Sequence, residues 1–278
     1  MATLALLEKD SALANTVSVN GVDIAYRFDG PATGRVVMLS NSLMSNYDMW
    51  DWNVGALSDR YRVLRYDTRG HGRSGTTPGP YTQELLSDDA AALLDTLGID
   101  SAHFVGLSMG GMAGQQLGAR YPQKVLSLCL CDTASEMPPR SLWAERLAIA
   151  KEHGVAGLAE GTIKRWFTAP FIERAPADIA KVRQFILSTG AEGYMACASA
   201  VRDMAQTTML LQIKAPTLVM TGRQDPACTV AQSEVLHRMI DGSKLHILED
   251  AAHLSNIEQP AAFNHAIRSF IDSVDDNL

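Results

Sequence analysis

The chain has 278 residues, 46% of them apolar and 20% charged. That is enough apolar material for a core and excludes disorder as its main state. Its 24 basic and 31 acidic side chains leave a formal charge of −7, which, without any Lys/Arg block, argues against a nucleic-acid partner. No apolar run reaches the roughly 18 residues that a membrane helix needs, so no membrane partner is expected.

The first residues, MATLALLEKD, have early acids and no positive n-region. Residues 1–14 read as a loose leader rather than a signal peptide. VSVNGVDIAYRF alternates about Asn20-Gly21, the mark of a two-residue hairpin. GRVVMLSNS and YRVLRYD read as buried strands, the second closed by the glycine-rich TRGHGRSG. LLSDDAAALLDTLGI has apolar residues at helical spacing and a stop at Gly98. HFVGLS is a strand, MGGMAGQQLGARYP a small-residue helix ending before Pro122, and VLSLCLCD a strand. Further on come APTLVMTG (strand), VAQSEVLHRMI (helix), KLHILED (strand) and PAAFNHAIRSFIDSV (helix). Strands alternating with helices predict an α/β fold whose mostly parallel sheet is flanked by helices.

One interval breaks this rhythm. About eighty residues separate Asp132 from Ala215, where strand-to-helix connections usually run about 2–6. The interval is helical in pattern, with SLWAERL, IKRWF and AVRDM as its marked stretches. It reads as an inserted helical cap over residues 135–210, with the core formed by residues 15–134 and 211–276. A cap above the carboxyl ends of the strands would close a ligand site there.

Four cysteines are present. Cys129 and Cys131 share a strand face, and none follows a zinc spacing, so no metal is expected. They read as reduced, buried thiols of a cytoplasmic protein. The sequence leaves a homo-oligomer open.

The strongest motif is Gly106-Leu107-Ser108-Met109-Gly110. It follows a strand and opens a helix, the context of a nucleophile elbow. A serine on so sharp a turn is strained, and glycines two residues to either side remove bulk that would clash. The helix behind it aims N–H groups at developing negative charge. Gly70, Gly72 and Gly75 satisfy G-x-G-x-x-G but are followed by the loop TTPGPYT, so they read as a tight loop rather than a dinucleotide site.

A nucleophilic serine needs a base and an orienting acid, in the chain order Ser, acid, His. Asp225 follows the strand APTLVMTG, and His253 follows KLHILED. Of seven histidines, only His253 lies in the loop after the last strand. Asp132 is the rival acid, at the end of the strand after the elbow helix. Two backbone N–H groups should form the oxyanion hole, one from Met109 and one from the stretch Asn41-Ser42-Leu43, by position Leu43.

Taken together, SNSL…DMW, RYDTRGHGRS, GPYT, GLSMGG, RWFT, EGY, RDM and AAHLSNIEQP resemble the 3-oxoadipate enol-lactonases of the α/β-hydrolase superfamily. The likeness runs from about residue 17 to 272. It implies the α/β-hydrolase fold and a cofactor-free serine hydrolase. Its triad would be Ser108, Asp225 and His253, and its substrate a small carboxylate-bearing ester or lactone. The chain departs from the pattern at Met44, where the family has glycine, and at Ala205-Gln206-Thr207; on this reading both places border the substrate. In the cap, Trp143 and Arg146, with Arg165 and Trp166 behind them, are candidates for the pocket wall, an arginine there pairing with a carboxylate. Three other readings share the pattern: a broad carboxylesterase or perhydrolase, a C–C bond hydrolase, and a silent ligand-binding member of the fold.

Overall fold

The computed structural model describes residues 15–277; the leader expected at residues 1–14 lies outside them. The chain opens with the expected hairpin. β1 (Asn15–Val19) and β2 (Val22–Asp29) pair antiparallel, joined by Asn20 and Gly21, both at positive φ, as a tight two-residue turn requires. The apolar runs become β3 (Val36–Ser40), β4 (Arg62–Tyr66), β5 (Ala102–Leu107), β6 (Val125–Cys131), β7 (Thr217–Gly222) and β8 (Lys244–Leu248). Sheet order is β1-β2-β4-β3-β5-β6-β7-β8. β2 meets β4 antiparallel, and every later pairing is parallel.

Side chains alternate between two apolar layers along each central strand. Val37, Leu39, Val105, Leu107, Cys129, Cys131 and Met220 enter one layer. Met38, Phe104, Leu128, Leu130 and Val219 enter the other. The second layer is covered by α1 (Gln83–Thr96), α2 (Met109–Arg120) and α8 (Val230–Met239), through residues such as Leu93, Leu117 and Leu236. The first is covered by α10 (Pro260–Asp275), whose Phe263, Ile267, Phe270 and Ile271 point inward. This is the arrangement the resemblance implies.

Between β6 and β7 the chain carries five α-helices: α3 (Arg140–His153), α4 (Ala159–Trp166), α5 (Ala169–Arg174), α6 (Pro176–Ser188) and α7 (Ala191–Asp203). Their buried Trp166, Phe171, Ile186 and Tyr194 belong to the same apolar layer as the strand ends. Gly70 of the glycine-rich loop backs directly onto Gly193 of α7. A Cβ on Gly70 would stand 2.7 Å from the Gly193 Cα. The G-x-G-x-x-G glycines therefore serve close packing, as the loop reading expects. No helix among the described residues is long and apolar enough to cross a membrane.

Candidate active site

Ser108 stands between β5 and α2 at φ 55°, ψ −116°, a region costing a side-chain-bearing residue about 1–3 kcal/mol. Its backbone is pinned on both sides. Its N–H donates to Cys131 O at 2.9 Å, and its carbonyl accepts the Thr133 hydroxyl at 2.8 Å. The flanking glycines answer a steric demand. A Cβ on Gly106 would meet Gly110 O at 2.4 Å, and one on Gly110 would meet Ser40 O at 2.3 Å.

Asp225 comes from the loop after β7 and His253 from the loop after β8. The Ser108 Oγ–H donates to His253 Nε2 at 2.9 Å. On the far side of the ring, Nδ1–H donates to Asp225 Oδ2 at 2.8 Å; a carboxylate only accepts, which fixes the tautomer. The other Asp225 oxygen accepts the N–H groups of Ala227 and Cys228 at 2.7 and 3.0 Å. Ser108, Asp225 and His253 are 7%, 4% and 3% exposed, so the chain of hydrogen bonds is shielded from bulk water and strengthened by it.

The Cys228 Sγ lies close to this pair, and the Asp225, Cys228 and His253 donor atoms sit within 4.8 Å of one another. Burial and the nearby Asp225 and Asp132 carboxylates hold the thiol protonated, well above its ordinary value. The imidazole Nδ1–H is already engaged in its hydrogen bond to Asp225. The donor set is that of a hydrogen-bonded pair beside a neutral thiol, not of a metal centre.

Asp132 does not join the serine–histidine chain. It accepts the Gly222 N–H at 2.8 Å through Oδ1 and the Ser255 hydroxyl through Oδ2. It thus ties the strand end before Asp225 to the helix after His253. Burial, and secondarily the Asp225 charge, push its carboxyl well above the usual range.

Near Ser108 some backbone donors have no partner among the described residues, those of Met109 and Leu43 among them. Met109 begins α2, and its N–H has no partner among the described residues. In the loop after β3, the Ser42 N–H donates to Met49 Sδ at 3.4 Å and the Met44 N–H to His71 Nε2 at 3.0 Å. The Gly110 N–H is taken by Asn41 O. Leu43 N–H, between two committed neighbours, has no partner among the described residues. Met44 adopts φ 65°, which explains why glycine suits this position.

A cavity of about 140 Å³ opens over Ser108 and His253. Leu43, Met44 and Met112 form its lower wall, and Trp143, Arg146, Arg165 and Trp166 line it from α3 and α4. All four helix residues named from the sequence thus reach the same space. Arg146 donates to the Tyr194 hydroxyl at 3.2 Å, touches Met44 Sδ at 3.9 Å, and lies 5.5 Å from the Trp143 ring centroid. Arg165 donates to the Thr162 hydroxyl at 3.3 Å. Neither arginine meets a carboxylate among the described residues. Ala205-Gln206-Thr207, the other departure from the family pattern, is absent from the cavity wall. Gln206 is instead buried in an amide cluster with Gln115 and Gln116, beside an exposed Ala205, so that expectation is corrected: the stretch lies away from the cavity over Ser108.

His71, on the Met44 N–H, and Glu258, on the N–H groups of Ala252 and Thr168, support the loops around the site. The stretches RYDTRGHGRS and HLSNIEQP contain them, but nothing in either stretch marks the role.

The model of the α/β hydrolase fold matches residues 35–260. 3-oxoadipate enol-lactonase 2 of Acinetobacter baylyi is 39% identical, over 94% of this chain and 96% of its own. The solved enol-lactonase of Burkholderia xenovorans LB400 superposes with a TM-score of 0.91 at 40% identity, covering 93% of this chain and 100% of its own. A thermophilic esterase of Thermogutta terrifontis, solved with malate bound, gives 0.88 at 30% identity, covering 95% and 99%. The chain belongs to the α/β hydrolase fold family, as an enol-lactonase-like member.

Proposed function

We propose that the protein is a serine hydrolase that opens a small, carboxylate-bearing lactone such as 3-oxoadipate enol-lactone, through an acyl-enzyme on Ser108. The observation that carries this reading is the continuous chain Ser108–His253–Asp225 beside the two unpartnered N–H groups of Leu43 and Met109. The oxygen of Ser108 attacks the lactone carbonyl while His253 Nε2 takes its proton. Asp225 holds the imidazole in the required tautomer and stabilises its charged form. The Leu43 and Met109 N–H groups receive the negative charge that develops on the carbonyl oxygen. When the tetrahedral adduct collapses, the ring C–O bond breaks and His253 gives its proton to the departing oxygen. Water, activated by the same histidine, then frees the new carboxylate and restores Ser108.

Residues 135–210 act as a cap that closes the cavity from above, over a core of residues 15–134 and 211–276. Arg146, with no acid of its own, would pair with the substrate carboxylate, and Trp143 and Met44 would shape its carbon skeleton. The malate seen in the Thermogutta esterase is in keeping with an anionic ligand. No cofactor enters this chemistry. The four buried free thiols support a reducing compartment such as the cytoplasm.

The test combines covalent labelling with a substrate screen. A fluorophosphonate should label the wild type and not Ser108→Ala, which should lose at least about 10⁴-fold in kcat while still folding. Lactones should be turned over faster than linear esters of matched size. Full labelling of the alanine variant would end the serine-hydrolase reading.

A further inference from the structure

α9 (Ser255–Glu258), directly after the catalytic base, is buried at every residue. Glu258, 2% exposed, has no cation partner among the described residues. A buried carboxylate in that state is costly unless N–H and O–H donors satisfy it. Its donors come from two separate parts of the molecule. The Ala252 N–H donates to Oε2 at 2.9 Å. From the segment after α4, the Thr168 N–H donates to Oε1 at 3.1 Å, and the Thr168 hydroxyl donates to the same oxygen. Beside these, the Leu254 N–H donates to Trp166 O at 3.0 Å. The residues on either side of His253 are therefore both fastened to Trp166–Thr168. That same segment carries Trp166, and Arg165 before it, into the cavity wall.

We infer that Glu258 is a positioning residue: it locks the loop that holds His253 to the cavity-lining segment of the cap, so that seating the cap and aiming the base are one event. The inference rests on the serine-hydrolase reading above. Glutamine has the shape of glutamate, but its amide NH₂ would face one of the donor groups. The loop would then shift, and a displacement of about 1 Å at a reacting group can cost about 10²-fold in rate.

The experiment uses the full chain. For Glu258→Gln we expect kcat on an aryl ester, and the rate of fluorophosphonate labelling at Ser108, to fall by about 30-fold, with KM within about twofold. Thr168→Val, which keeps the backbone donor and removes the hydroxyl, should lower both rates by about 5-fold. The Thr168 hydroxyl also caps α5 by accepting the Phe171 N–H, but it reaches the His253 loop only through Glu258, so the double variant should be no slower than Glu258→Gln. If Glu258→Gln does not fold, the Thr168→Val rates decide alone. Wild-type kcat and labelling in Thr168→Val, or losses that multiply in the double variant, would overturn the inference while leaving the hydrolase reading intact. Labelling that survives Ser108→Ala would instead remove the reading on which it rests.

Discussion

The floor and the roof of the cavity are held by different means. On the floor, Ser108, Asp225 and His253 are fixed by strand ends and by hydrogen bonds that use nearly every polar atom they have. On the roof, Arg146 rests on a phenol oxygen and a thioether, and Arg165 on a single hydroxyl. A guanidinium has five donors, so both retain capacity for an incoming anion. The difference separates two jobs. A saturated, buried network defines one reaction and tolerates little change. A wall with spare donors selects among substrates and can change without loss of the chemistry. Floor variants should therefore slow every substrate alike, and roof variants only some.

The largest effect tests the floor. Asp225→Asn would favour the wrong imidazole tautomer, a change worth about 10⁴ in a serine protease. The loss should be equal for lactones and neutral esters. Asp132→Asn should cost far less, because its carboxylate bonds to Gly222 and Ser255 rather than to the imidazole. The reverse ranking of kcat would move the acid to the strand end after β6.

Why the floor was legible in the sequence and its supports were not follows from the same contrast. Gly106 and Gly110 are forced by backbone contacts near 2.4 Å, so the elbow leaves a spelled-out motif. Asp225 and His253 follow from strand order, which apolar runs reveal. The proposed oxyanion donors, Leu43 and Met109, would act through backbone N–H groups, which any residue could supply, so only position could point to them. Glu258 and His71 bond to partners distant in the chain, 90 residues away for Thr168 and 27 for Met44. A single sequence carries no mark of such pairing. The Gln206 misreading has the same cause: its partners Gln115 and Gln116 lie 91 and 90 residues away.

The roof is tested by Arg146→Ala. For a carboxylate-bearing lactone, kcat/KM should fall by about 100-fold, the scale of a lost bidentate charge pair. For a neutral aryl ester it should stay within about twofold. Equal losses on both substrates would make Arg146 a support for Tyr194 instead, and erase the distinction between roof and floor.

Acidification probes the floor loop through His71, which is fully buried and whose pKa burial pushes down to about 4. An unfolded histidine titrates near 6.5, so as pH falls below that value the unfolded chain takes up a proton that the folded chain refuses. Stability present at neutral pH is thus lost on the way down towards pH 4. Between pH 7 and 5 the cost is on the order of 2 kcal/mol. Asp67, pushed up to about 6 by its own burial, works in the opposite sense, taking its proton in the folded state first. The wild-type profile alone therefore shows little. His71→Gln keeps an acceptor for the Met44 N–H and removes the titration, so denaturant unfolding should show the variant gaining on the wild type as pH drops. Parallel profiles would mean that His71 is hydrated and titrates freely.

Met44 sits where floor and roof meet, and its substitution should have the smallest effect. Its backbone belongs to the floor: it is held at φ 65°, with its N–H on His71. Its side chain, fully buried, reaches up to Arg146. Met44→Gly would relieve left-handed strain of about 1–2 kcal/mol. It would also leave a void, and losing a buried methionine side chain costs about 2–5 kcal/mol, so the melting temperature should fall modestly. The void borders the cavity and frees the Arg146 head group to move. An acyl group that needs that volume should then gain: kcat/KM for 3-oxoadipate enol-lactone, relative to an aryl ester, should rise by about 10-fold. A lowered melting temperature with an unchanged substrate ratio would assign Met44 to packing alone. A raised ratio would mean that the methionine narrows this chain's choice of acyl group, through the roof's arginine, from a position whose backbone the floor dictates.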